Sequence, residues 1–370
     1  MDKKKILFIG IGQGGNKAVD EVLNLDKRYN GLFINTSAKD IALTDNADLD
    51  TNVYLIPNAD GTGKNRTTAK KYGVNHYVSM VDIVKQYHLQ TVVYIAFTSG
   101  GGTGSGIAPL YAKMLRQYFP NLVINLVVFK AGKDESKQVL VNTKECLEEV
   151  VKIKNFVNNI YIIDNSKRDT LDEINKEWAK SIDNFLSLSS GIGTNIIDSS
   201  DLFNLIQDKG VSTILELEPT FTESVDLGLT QTIQDSIYVA PTSFDCHYIC
   251  MSTENEKFDQ DRLLSNFFYE IDKFSGGNDY ANIIALSGGE FPAYLIDELS
   301  EELDARDKKI LERRNLRERR ENELLNAIAT TPKNSNMPKP NGTKEKIKTS
   351  VRSSKEIEDI FSDGFFNDFF

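Results

Sequence analysis

Five of the eight residues at 99–106 (Ser99, Gly100, Gly101, Gly102, Thr103, Gly104, Ser105, Gly106) are glycine, and the stretch stands between apolar runs at 92–97 and 107–111. A chain so placed must pass from a buried strand into a helix with almost no side chains at the turn, which is the strand–loop–helix unit of an α/β fold. Bare glycines let successive N–H groups approach an anion closely and adopt positive φ where needed. Thr103 and Ser105 add hydroxyl groups, and the following helix aims its positive end at the loop. The segment reads as a polyphosphate cradle. The plainer alternative, a flexible linker, is not expected between a buried strand and an apolar helix.

The same alternation runs through the first part of the chain. Strands are expected at 6–10, 31–35, 92–97, 122–129 and 160–163, with helices at 16–25, 67–87 and 137–154. Short β-rich runs separated by amphipathic helices predict a doubly wound parallel sheet over residues 1–168. Its ligands would sit beyond the carboxyl ends of the strands. Leu171, Ile174, Trp178, Ile182 and Phe185 fall at helical spacing, which predicts a long central helix over 169–190. Residues 191–290 read as a smaller α+β domain, with strands at 246–251 and 283–287 and a helix near 262–274. Charged residues dominate 291–330, where Leu299, Leu303, Ile310, Leu324 and Ile328 form a thin apolar stripe. This is a long C-terminal helix, either solvated or laid over the body or a neighbouring subunit. Residues 331–370 read as a disordered, locally basic linker that ends in an acidic and aromatic tail at 356–370. Phe361, Phe365, Phe366 and Phe369 of that tail could share one helix face, as a binding motif would require.

Composition narrows the partners. A formal charge of -11 argues against sequence-independent DNA binding by the whole surface. No apolar run approaches the roughly 20 residues needed to cross a bilayer, and the chain enters its first strand too soon for a signal peptide. Three cysteines make no disulfide framework and suit a reducing cytoplasm. Cys246, His247 and Cys250 invite a metal reading, but they sit in an apolar strand-like run without a second ligand pair, so core packing is expected.

A second glycine loop, Gly10-Ile11-Gly12-Gln13-Gly14-Gly15-Asn16, follows the first strand and fits G-x-G-x-x-G, the mark of a dinucleotide fold. That fold needs an acid after the second strand, and here the strand ends Asn35-Thr36-Ser37. Walker-type chemistry fails too, because neither glycine loop is followed by Lys-Ser or Lys-Thr. Taken together, residues 99–106, the loop Gly12-Gln13-Gly14-Gly15-Asn16, Asn35-Thr36-Ser37-Ala38 and Asn58-Ala59-Asp60-Gly61-Thr62-Gly63-Lys64-Asn65-Arg66 resemble the phosphate loops of the tubulin/FtsZ superfamily of GTPases. The resemblance continues through Asn165, residues 181–186 and Asn195-Ile196-Ile197-Asp198-Ser199-Ser200-Asp201, so that its motifs cover about 6–205.

The resemblance implies GTP/GDP as ligand, with Mg²⁺ held mainly by phosphate oxygens and water. The binding residues it implies are Gly12, Gln13, Gly14, Gly15, Asn16, Asn35, Gly61, Gly63, Asn65, Gly100, Gly101, Gly102, Thr103, Gly104 and Ser105. Glu135 would contact the ribose, while Asp183 would accept from guanine N1–H and its amine, helped by Asn16 and Asn165. Val139 stands at or near the place of an arginine that division-type members carry, and Ser37 replaces their usual acid. Asp198 and Asp201 lie past the central helix, which spans roughly 30 Å, so they cannot reach the nucleotide of their own chain. The resemblance implies head-to-tail assembly, in which these acids polarise water at the next subunit's γ-phosphate, and such a repeated contact builds a filament. Asp201 would also cap the helix that follows it.

The long C-terminal helix and divergent loops are similar to the TubZ/PhuZ group of plasmids and phages, which moves DNA through a DNA-binding adaptor. Residues 356–370 would engage that adaptor or the next subunit, without direct DNA or membrane binding. Two alternatives stay open: a cell-division or structural cytoskeletal scaffold, and, more remotely, a nicotinamide-dependent enzyme.

Overall fold

An unbroken apolar run buried at every position, Ile6–Ile11 (β1), sets the architecture, because such a strand needs cover on both faces. The computed structural model describes residues 1–87, 90–190, 197–217, 225–243, 245–253, 258, 260–277 and 282–330. After β1 come α1 (Gly12–Leu25), β2 (Asn30–Asn35), α2 (Ala38–Ile41), β3 (Val53–Leu55), α3 (Arg66–Lys85), β4 (Val92–Thr98) and α4 (Thr103–Tyr118). β5 (Val123–Lys130), α5 (Lys137–Ile153), β6 (Asn159–Asp164) and α6 (Leu171–Ser187) complete the nucleotide-side half. Then follow α7 (Ser199–Gln207), β7 (Gly210–Glu216), α8 (Val225–Asp235), β8 (Asp245–Ser252), α9 (Gln260–Leu264), β9 (Phe268–Gly276), β10 (Ile283–Gly289) and α10 (Tyr294–Thr330).

Ten strands form one sheet in the order β3-β2-β1-β4-β5-β6-β7-β10-β8-β9. β3 through β7 pair in parallel, β10 runs antiparallel to both β7 and β8, and β9 is parallel to β8. The chain winds outward in one direction from β1 and in the other from β4, so the switch point of this doubly wound sheet lies between those neighbours. The strands of 210–289 continue the same sheet, and the main apolar core runs from Ile6 through Trp178 to Ala285. A smaller cluster around Ile249, Met251, Leu263 and Ile284 covers the other face of the later strands.

The helix expected near 262–274 is a correction. α9 stops at Leu264, and β9 (Phe268–Gly276) pairs with β8 as the edge strand. The spacing of Leu263, Phe267, Ile271 and Phe274 suits a helix locally, but the open edge of β8 supplies backbone partners that a helix could not use. Tyr248 and Phe274 stack across that pairing with centroids 6.0 Å apart. Cys146, Cys246 and Cys250 are free and buried, and burial pushes each thiol up to about 12. Among the described residues no helix is long and apolar enough to cross a membrane.

The chain divides into two units, Met1–Leu303 and Asp304–Phe370. Within the first, Leu295, Leu299 and Leu303 of α10 are buried. Within the second, helix residues 307–326 are all exposed, Ile310 and Leu324 included. The linker and tail expected at 331–370, with Asn195 and Ile196, lie outside the described residues.

Candidate nucleotide site

Four loops meet at the carboxyl ends of the strands, on either side of the switch point. Gly12 opens α1 with φ of 73°, and a Cβ there would stand 2.9 Å from the Gly104 nitrogen, so the two glycine loops touch. Thr103 Oγ1 lies 2.7 Å from Thr36 Oγ1 and 3.3 Å from Thr62 Oγ1, which ties the second and third loops to the cradle. A Cβ on Gly102 would meet the Asn65 nitrogen at 2.9 Å, and a Cβ on Gly100 would collide with Val139. Gly61 and Gly63, both at positive φ, face open space. Glu135 is exposed after β5, and Asn165 is half-buried after β6, at the same end of the sheet.

Helix capping singles out the same place. Side chains of Ser37, Asn65, Thr170 and Asp198 cap α2, α3, α6 and α7. The first turns of α1, α4 and α5 have no side-chain cap and no acidic residue, and all three begin at the carboxyl ends of β1, β4 and β5. Their N–H groups are left for a ligand, and the helix dipoles favour a negative one. Bare backbone, uncapped donors and close-set hydroxyls fit a nucleotide polyphosphate.

Several expected ligands prove to be braces beneath that surface. Asn16 is fully buried; its amide donates to the Gly10 and Gly12 carbonyls at 2.7 and 3.2 Å and accepts from Asn35 Nδ2 at 3.1 Å. Asn35 Oδ1 in turn accepts from the Thr36 and Ser37 backbone at 2.8 and 3.2 Å. With both amide hydrogens engaged and no exposed surface, Asn16 braces the loop and is not presented to a base, which departs from the role expected of it. The Ser105 hydroxyl is likewise spent, donating to the Gly101 carbonyl and accepting from Arg66 Nε at 3.2 Å. Sequence reasoning missed the buried ion network below it. Arg66 binds Glu145 at 2.8 Å, Glu149 at 2.6 Å and the Ser105 carbonyl at 3.0 Å, while Lys70 also pairs with Glu149. α3, α4 and α5 are clamped together there, and a buried arginine opening a helix beside a glycine loop was the available signal.

Asp183 is the second correction. It pairs with Lys3 and accepts from Tyr29 Oη at 2.7 Å, and Lys3, also 3.0 Å from Asp26, lies in the short turn that leads into β1. That is the amino end of the sheet, one strand length (about 20 Å) from the glycine loops. α6 runs the length of the sheet: Trp178 packs on Phe129 and Phe8 at 5.5 and 6.2 Å, leaving Asn175 one turn nearer the loops and Asp183 further away. Asn175 is 7% exposed and has no hydrogen-bond partner among the described residues.

Asp198 and Asp201 also lie at the amino end, where the Met1 nitrogen is 3.2 Å from Ser199 Oγ. Asp198, not Asp201, caps α7, accepting from the Ser200 and Asp201 nitrogens, each at 2.8 Å. The Ser200 hydroxyl and these amides hold the Asp198 carboxyl below its ordinary range. Burial, then the charge of Asp198, pushes Asp201 above it.

Residues 5–171 match the family described as "Tubulin/FtsZ family, GTPase domain". Residues 5–171 therefore form a GTPase domain of the tubulin/FtsZ family, a class whose ligands are GTP and GDP. Over 363 residues, 97% of this chain and 99% of the relative, it is 29% identical to the tubulin-like protein TubZ of Clostridium botulinum C phage. The structure of Clostridium botulinum phage c-st TubZ, truncated at its C-terminal tail, superposes with a TM-score of 0.76 at 29% identity, covering 84% of this chain and 100% of that one. A GTPγS-form protofilament of Bacillus thuringiensis serovar israelensis TubZ shares the fold with a TM-score of 0.72 at 13% identity, over 84% of this chain and 94% of the other.

Proposed function

We propose that this chain is a filament-forming GTPase whose active site is completed by a neighbouring subunit. The observation that carries the reading is a separation: the glycine cradle stands at one end of the sheet, and Asp198 and Asp201 at the other. Head-to-tail stacking brings the two ends together and, since the contact repeats without closing, makes a filament. Gly12–Gly15, Gly100–Gly104 and the loop at 58–65 hold the phosphates through backbone donors, with Glu135 at the ribose and Asn165 and Asn175 toward the base. An amide at Asn175 can meet both the O6 and N1–H of guanine, the part once expected of Asp183. Mg²⁺ fits as an ion held by phosphate oxygens and water, since it keeps most of its hydration. At the contact, Asp201, with its raised proton affinity, takes the proton of the attacking water, and Asp198 orients it.

Moving plasmid or phage DNA is the task that fits this polymer, with the tail at 356–370 engaging a basic DNA-binding adaptor. Its similarity to TubZ over nearly the whole chain supports that role over a division scaffold.

A mixing experiment tests the in-trans site. Asp201→Ala is expected to bind GTP and assemble but to lose about 100-fold in turnover. Thr103→Asp sets a carboxylate where phosphate belongs, in a first helical turn that tolerates acids, and loses nucleotide binding. Mixed together, one variant lends its nucleotide and the other its Asp201, and GTPase activity exceeds the sum of the two alone. A mixture no more active than that sum would sink the in-trans arrangement.

A further inference from the structure

The negative charge of a nucleoside triphosphate is greatest at its end, and helix N-termini offset only part of it. Neither glycine loop is followed by the Lys-Ser or Lys-Thr of a Walker loop, whose lysine would offset the rest. One lysine is held against the cradle from another direction. Lys64 has φ of 63°, in the left-handed region that residues with a Cβ seldom enter. Such a conformation costs free energy and persists where its surroundings fix it, most often at functional sites.

Here the fixing contacts are visible. Asn142, 1% exposed, donates from Nδ2 to the Lys64 carbonyl at 2.9 Å and to the Gly100 and Gly101 carbonyls at 3.1 and 3.3 Å. Gln138 Nε2 holds Asn142 Oδ1 at 3.0 Å, which sets the amide's orientation. On the other side, a Cβ on Gly102 would stand 3.0 Å from the Lys64 carbonyl carbon. The backbone of Lys64 is thus locked to three successive glycines of the cradle. Its side chain is exposed, and its ammonium has no hydrogen-bond or ion-pair partner among the described residues. Glycine or asparagine would adopt this backbone at lower cost, so a lysine here breaks a local rule beside the site.

We propose that Lys64 supplies the missing cation: its ammonium binds the terminal phosphate, so that GTP is held more tightly than GDP. The inference rests on the reading of these loops as the nucleotide site. A lysine is a point charge on a flexible four-carbon stem, suited to a phosphate whose position varies by a little, while Asn142 fixes where that stem is rooted.

The test compares GTP and GDP affinities of wild type, Lys64→Asn and Lys64→Arg, by competition with a fluorescent GDP at protein concentrations below those that give filaments. Asparagine tolerates the left-handed conformation, so this variant removes the charge without forcing the loop, and its GDP affinity reports that the site is folded. Lys64→Asn is expected to lose about ten-fold or more in GTP affinity with GDP affinity unchanged, and Lys64→Arg to keep most of the GTP preference. A GTP-to-GDP ratio unaltered in Lys64→Asn overturns the proposal. So does an unaltered ratio with weakened assembly, which would assign the lysine to the subunit contact. A wild-type chain that binds neither nucleotide would be a separate failure, that of the site itself.

Discussion

Charged residues in this molecule act by where they are buried. Lys130, at the end of β5, reaches Asp164 at the end of β6 at 3.1 Å, and both are largely buried. Burial alone would raise the Asp164 carboxyl, but the Lys130 charge and the Ser166 hydrogen bonds outweigh it and hold the carboxyl below its ordinary range. A carboxylate depressed in the folded state stabilises that state above the unfolded pKa, and the contribution is lost as pH falls through the folded value. Asp164→Asn leaves Lys130 without its counter-charge and is expected to cost about 3 kcal/mol at neutral pH. That gap should narrow as pH falls below about 4, where wild type loses the same interaction. Urea midpoints across pH for both proteins would check it, and a gap independent of pH would mean the pair is not what stabilises this corner.

Among the elements, α6 determines how far apart the two ends of the molecule stand. Its start is fixed by a capping box between Thr170 and Glu173, and its buried face by Ile174, Trp178, Ile182 and Phe185. Trp178 is fully buried edge-on to Phe8 and Phe129, and its indole N–H has no partner among the described residues, so packing holds it. Trp178→Ala is expected to destabilise the protein by about 3–5 kcal/mol, read as a lower urea midpoint by circular dichroism. A midpoint equal to wild type would show that this face does not dock the helix. The lower end is anchored by Asp183 with Lys3 and Tyr29, which explains a carboxylate that has no part in base recognition.

At the scale of the whole fold, one continuous sheet within Met1–Leu303 places the glycine loops and the α7 acids at its opposite ends. On the function proposed above, the single chain is a half-site at each end, and its activity belongs to the assembly. On the same proposal the tail serves a different task. Deleting 356–370 is expected to leave GTP turnover and assembly intact but to abolish faithful inheritance of the replicon that carries the gene, measured as plasmid or phage-DNA retention over generations. Retention unchanged after the deletion would remove the tail from DNA movement, and filaments gathered in a membrane ring would favour a division scaffold.

Apart from the short α2 and β3, the order of strands and helices as far as β6 was legible in the sequence, as were the glycine loops at the strand ends and the remoteness of Asp198. Glycine runs, apolar runs and helical spacing are local signals, and each depends on a few neighbouring residues. β9 was not legible, because its residues suit a helix and only the free edge of β8 makes them a strand. Nor were the duties of Asn16, Asn35 and Ser105, because the contacts that join Asn16 to Asn35 and Ser105 to Arg66 link residues distant in sequence. Asp183 teaches the same lesson at longer range: its place on the helix follows from spacing, but which end of the sheet that place meets depends on the direction and depth at which α6 packs. The sequence by itself determined that glycine loops stand at the ends of parallel strands, where the proposed polyphosphate would sit; the tertiary structure decided which side chains are free to touch it, because a polar group can serve a ligand only when no nearer partner has claimed it.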